Sequence, residues 1–160
     1  MGIEWIITWA AVIISLVALL FSLSKPPIKD WIIVYFLKAF ISLNIAVFLV
    51  AQERFIFPVR FLPEVYQTSI LFDLLVFPIL CVLYNQTSYK SNLRSIIIQS
   101  VLYSGIMTAI EVWLERYTKL IEYINWSWLH TFAYLIITFL AVRAIMAIIR
   151  KLSKDDRLFR

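Results

Sequence analysis

The run Ile3–Leu23, IEWIITWAAVIISLVALLFSL, holds one charge, Glu4, in 21 residues. A spanning helix needs about 20 mostly apolar residues, because a ~30 Å hydrocarbon layer is crossed at ~1.5 Å per residue. Lipid offers no partner to an open backbone N–H or C=O, so such a run must be helical. Hydropathy repeats the pattern at about Trp31–Ala51, Val65–Tyr84, Ser95–Leu114 and Trp126–Ile148. The reading is an all-α, polytopic transmembrane bundle of five spans in one domain over residues 1–150, followed by a basic cytoplasmic tail at 151–160. Ser24-Lys25-Pro26-Pro27 ends the first span, and Phe57-Pro58-Val59-Arg60-Phe61-Leu62-Pro63 breaks the chain between the second and third.

Composition agrees. The chain is 62% apolar and 16% charged, with a mean hydropathy of +0.87, against about 45–50% and about 25% in a soluble domain. That excludes a soluble globular domain, a disordered chain and a disulfide scaffold. Two glycines exclude collagen-like and phosphate-loop readings. Cys81 is the only cysteine and His130 the only histidine, so no intrachain disulfide and no Cys/His zinc site are expected. The first span lacks the basic flank and cleavage pattern of a signal peptide, and Ile6 stands where a myristoylation signal wants Ser or Thr.

Orientation follows from the loop cations. Nine lie on one side: Lys25, Lys29, Lys90, Arg94 and Arg150 in the loops, then Lys151, Lys154, Arg157 and Arg160. Four lie on the other: Arg54, Arg60, Arg116 and Lys119. The first side is cytoplasmic, with the N-terminus outside and the C-terminus inside. This asymmetry accounts for the net charge of +5 without nucleic acid as a partner. Trp31, Trp113, Trp126 and Trp128 fall near span ends and are expected as interfacial anchors.

Polar residues inside the spans carry what functional signal there is. Thr8, Ala11, Ser15, Ala18 and Ser22 put small residues on one face of the first helix, a packing seam. Ser100, Ser104, Thr108, Glu111 and Glu115 form a narrow stripe on the fourth, read as a helix-packing face or as one wall of a polar cavity. Trp126, His130, Tyr134 and Thr138 share a face of the fifth, which brings His130 to the depth of Glu111 and predicts contact between them. Arg143 points to nearly the opposite face and is read as a snorkelling anchor. Asp73 lies near mid-membrane in the third span, and Pro78 after it frees the carbonyl of Leu74. Lys38 shares its face with Tyr35 and Ser42. An intramembrane ionisable residue marks function or pairs with another, and the overlapping depths of Lys38 and Asp73 predict a buried ion pair.

Phe57-Pro58-Val59-Arg60-Phe61, Thr68-Ser69-Ile70-Leu71-Phe72-Asp73 and Leu80-Cys81-Val82-Leu83-Tyr84-Asn85-Gln86-Thr87 resemble an uncharacterised family of small five-helix membrane proteins of spore-forming Gram-positive bacteria. Glu111-Val112-Trp113-Leu114-Glu115 and Val142-Arg143-Ala144-Ile145-Met146 look similar to its later segments. The resemblance implies a bacterial cytoplasmic or spore membrane and assigns no activity. Glu111 to Arg116 also faintly resembles the signature of intramembrane CAAX-type proteases, but the adjacent glutamate pair and a second histidine are missing.

Three functional readings fit these residues. The first is a scaffold or accessory protein acting through helix–helix contacts with a membrane partner or a second copy. The alternative is a small-molecule or proton-coupled transport or binding protein that uses Asp73, Lys38, Glu111 and His130. A membrane enzyme comes last, because no catalytic set, metal site or cofactor motif is legible. A cavity reaching Asp73 would favour the alternative, and a dry, packed centre the scaffold.

Overall fold

The computed structural model describes the backbone of residues 2–158 and the side chains of residues 2–154. Among the described residues the regular structure is all helical apart from one pair of two-residue strands. Five helices run in order: α1 (Ile3–Leu23), α2 (Ile28–Ala51), α3 at residues 70–87, α4 (Leu93–Tyr117) and α5 (Trp128–Leu158). All but α3 are long and apolar enough to cross a membrane. The strands β1 (Phe55–Ile56) and β2 (Glu122–Tyr123) pair antiparallel and tie the α2–α3 connection to the α4–α5 connection. They mark one end of the bundle, called here the hairpin end.

The third helix is the main departure from the expected spans. Residues 65–69 form turn and bend rather than helix. The guanidinium of Arg60 gathers the carbonyls of this loop, with Nε donating to Tyr66 O at 2.8 Å and Nη1 to Phe57 O at 2.8 Å. Those carbonyls are therefore satisfied without a helical ladder, and the helix starts only at Ile70. Its Phe72–Val76 turn is π-helical. Pro78 has no N–H to offer the carbonyl of Leu74, and the Tyr35 hydroxyl donates to it instead at 2.6 Å. The carbonyl that the sequence leaves free is thus met by a neighbouring helix.

Other boundaries shift modestly. Asn92 caps α4 by accepting from the Ser95 N–H at 2.9 Å. The α5 helix continues to Leu158, past the expected span end at Ile148. The side chains of residues 155–160 lie outside the described residues, among them Arg157 and Arg160 of the expected basic tail.

Two apolar clusters hold the bundle. The larger, away from the hairpin end, joins Trp31, Val34, Tyr84, Leu135, Phe139 and Met146 with their neighbours. Tyr84 stacks on Phe139 with ring centroids 5.3 Å apart. Trp31, expected as an interfacial anchor, is buried in this cluster and donates its indole N–H to Lys25 O at 2.8 Å. Trp113 and Trp128 are exposed, as anchors should be. The smaller cluster, at the hairpin end, is Phe55, Phe57, Leu114, Leu120 and Ile121.

The seam of α1 behaves as expected. Thr8, Ser15 and Ser22 are buried, and Ala11 and Ala18 half-buried. They allow α1 to approach α2 and α3 closely. At the far end, Arg150 Nε pairs with Asp30 Oδ2 at 2.5 Å. Arg143 is no free anchor: its Nη2 donates to the carbonyls of Ser88 and Tyr89, each at 3.0 Å. Orphan carbonyls at a helix C-terminus attract a cation, and this one ties α5 to the end of α3.

Candidate functional site: a chamber between the two clusters

Because α3 begins late, the space between α2, α4 and α5 next to its first turn is not filled by a helix. A partly enclosed cavity remains there, with about 70 Å³ open to the centres of water molecules. A water sphere itself occupies ~10–15 Å³, so the chamber holds several waters or one very small ligand. Its roof is the whole of the smaller cluster. Its floor includes Met107 and Leu135 of the larger one. Most of the wall is apolar and aromatic, with Ser42, Ser69, Asp73, Glu111, Thr131 and Tyr134 as the polar groups.

The two carboxyls on this wall have different surroundings. Glu111 sits at the centre of a hydroxyl network. Its Oε1 accepts from Tyr123 OH at 2.5 Å and from Thr131 Oγ1 at 2.7 Å, and Trp126 Nε1 donates to Thr131 Oγ1 at 2.8 Å. Tyr123 belongs to β2, and the Trp126 ring packs edge-on against Phe55 at 5.5 Å. Glu111 therefore fastens the hairpin roof to α4 and α5. Burial first, and then the neighbouring Glu111 carboxyl, push the Tyr123 phenol above its usual range, so it stays a donor throughout the physiological range. Asp73 is 4% exposed, and its Oδ2 has no hydrogen-bond partner among the described residues.

The predicted Lys38–Asp73 ion pair is not formed. The one salt bridge among the described residues is Arg150–Asp30. Lys38 is fully buried, and its Nζ turns toward α5, donating to Thr138 Oγ1 at 2.8 Å and to Tyr134 OH at 3.4 Å. The ammonium also stands 4.7 Å from the Tyr134 ring centroid and 5.5 Å from that of Phe139. Matching depth on two helices did not fix the azimuth, and aromatic faces with a hydroxyl satisfied the cation first. Lys38 does not line the chamber, whereas Tyr134 touches both.

The predicted Glu111–His130 contact is also absent. His130 is exposed, bonded through Nδ1 to Ser127 Oγ at 2.7 Å and packed on Trp126 at 4.9 Å between centroids. The next residue, Thr131, faces Glu111 instead. The α5 helix starts at Trp128, and one residue turns a helix by about 100°, which carries His130 off the inner face. Of the α4 stripe, Ser100, Ser104, Thr108 and Glu111 are all buried, but only Glu111 reaches the chamber. Ser100 bonds back to Ile97 O at 2.8 Å. Thr108 borders an open groove between α4 and α5 with Gly105, Ala109, Arg116 and Phe132. That stripe is chiefly a packing face.

Thr131 and Tyr123 were not singled out from the sequence, although both bind Glu111 directly. The usable signal was chemical: a buried carboxyl demands donors, and the short link after α4 offers Tyr123 and Trp126. Among the described residues no group of three or more His, Cys, Asp or Glu side chains is arranged to hold a metal ion. Comparison of the chain with protein-family models, with curated proteins and with solved structures found no match.

Proposed function

We propose that this chain is a five-span membrane protein that binds, and in a transport cycle passes, a small molecule or proton through the chamber at Asp73 and Glu111. The observation that carries the reading is the chamber itself: a cavity lined by a buried carboxyl with no cationic partner among the described residues, where a scaffold would have a dry and packed centre. Ligand sites are typically concave, mostly apolar and furnished with a few convergent polar groups, and this wall has that character. The α3 helix completes the set of five spans, with the Arg60-ordered loop compensating for its short length. The nine-to-four distribution of loop cations supports an outside N-terminus and an inside C-terminus. The family resemblance supports a bacterial cytoplasmic or spore membrane.

The scaffold reading keeps one specific support, the open α4–α5 groove with Gly105 and Ala109 four residues apart, a small-residue surface suited to a further helix. Native mass spectrometry from mild detergent discriminates the two. A low-mass adduct that is retained by the parent protein and lost on filling the chamber with Ala46→Phe supports binding. Stoichiometric self-association with no adduct, unchanged by Ala46→Phe and abolished by Gly105→Leu, would transfer the function to the groove.

A further inference from the structure

We propose that the chamber takes a small organic cation, an alkylammonium whose charged nitrogen is paired by Asp73 and whose apolar part lies against the aromatic wall; this rests on the chamber being a binding site. Asp73 carries the argument. Asp73 lines the cavity, is 4% exposed, and its carboxyl has no cationic partner among the described residues. A buried polar group without a partner is costly, and a carboxyl oxygen without a donor is complementary to an N–H group. Glu111 differs in that its Oε1 already accepts from both Tyr123 and Thr131 and so holds the roof.

The remainder of the wall fits the same ligand. No Lys, Arg or His side chain lines the chamber among the described residues, so an anion would meet two carboxyls on the wall and no cation there. A neutral donor would give Asp73 a hydrogen bond but no counter-charge, and a charge-assisted bond is the stronger one. Phe55, Phe57, Phe72, Phe77, Trp126 and Tyr134 present aromatic rings, whose faces attract cations. The protein already holds one ammonium this way next door, where Lys38 Nζ lies against Tyr134 and bonds a hydroxyl. Size sets the upper limit. The chamber has about 70 Å³, while an engineered cavity of about 150 Å³ admits benzene, so a three- or four-atom amine fits and an aromatic amine does not.

The test uses the full chain in lipid nanodiscs and three probes of equal size: propylammonium, 1-propanol and propionate. Ligand-observed NMR titration reads their affinities. Propylammonium is expected to bind at least tenfold more tightly than propanol, with propionate not binding. Asp73→Asn should remove the preference for the amine, and Ile106→Leu, on the exposed face of α4 and outside the chamber, should keep it. Ala46→Phe, which fills the chamber, should abolish binding of both amine and alcohol, so the inference remains testable if Asp73→Asn folds poorly. Equal binding of propanol and propylammonium, displaced by Ala46→Phe, would overturn the cation assignment and leave the chamber as a neutral-ligand site. Binding of none of the three, or binding unaffected by Ala46→Phe, would overturn the cation assignment and the chamber reading together.

Discussion

Replacing Lys38 with methionine is expected to change stability by less than about 2 kcal/mol, and the change should not depend on Asp73. Three contributions decide this. The Nζ–Thr138 bond at 2.8 Å has a charged donor and is worth about 1.5–3 kcal/mol. The ammonium against the Tyr134 ring adds about 2 kcal/mol in a desolvated site. Against both, a lysine near the centre of a spanning helix costs about 2.5–3.5 kcal/mol to insert. These amounts nearly cancel, and Met fills a similar volume. Thr138 is not orphaned, since its hydroxyl also donates to Leu135 O at 3.2 Å. A direct ion pair would behave differently. Loss of one partner would then cost about 3–5 kcal/mol, and the double variant would recover much of it. Reversible unfolding in mixed micelles of the parent protein, Lys38→Met, Asp73→Asn and the double variant measures the coupling, expected below about 1 kcal/mol. A loss of 3 kcal/mol or more in Lys38→Met, restored by adding Asp73→Asn, would refute the placement of Lys38 on the α5 side.

Tyr35→Phe should cost about 1–2 kcal/mol in the same assay, because the Leu74 carbonyl loses its donor. Pro78→Ala, which supplies a backbone N–H, should recover part of that loss, and equal losses in both backgrounds would show that the Tyr35 bond does not serve this carbonyl. Ser104→Leu should destabilise by about 1–3 kcal/mol by overfilling a closed contact, whereas Ile106→Leu, at a residue 62% exposed, should be near neutral; equal thermal stability of the two would put the stripe against lipid. On a Cys81→Ala background, cysteines at the exposed Lys90 and Ser153 should label only from the cytoplasmic side and one at the exposed Lys119 only from outside. Ser88 is a poor probe because it is fully buried. External labelling at Lys90 would overturn the orientation.

The sequence by itself determined that the chain is helical and which runs form four of the long apolar helices, because helix in lipid is dictated locally by length, hydropathy and the need to pair every backbone group. It also determined the α1 seam and the burial of the Ser100–Glu111 stripe, both functions of the 3.6-residue period alone. The freed Leu74 carbonyl was legible for the same reason, since proline acts on its own helix. What tertiary structure decided depends on relations between helices that no single period contains. The rotation of α5 put Thr131, not His130, against Glu111. The aromatic and hydroxyl groups of α5 drew Lys38 away from Asp73. The carbonyl-gathering Arg60 loop delayed the start of α3, and that delay opened the chamber. Depth along a helix can be counted in residues at ~1.5 Å each; azimuth, and the space left where a helix begins late, emerge only when the helices pack.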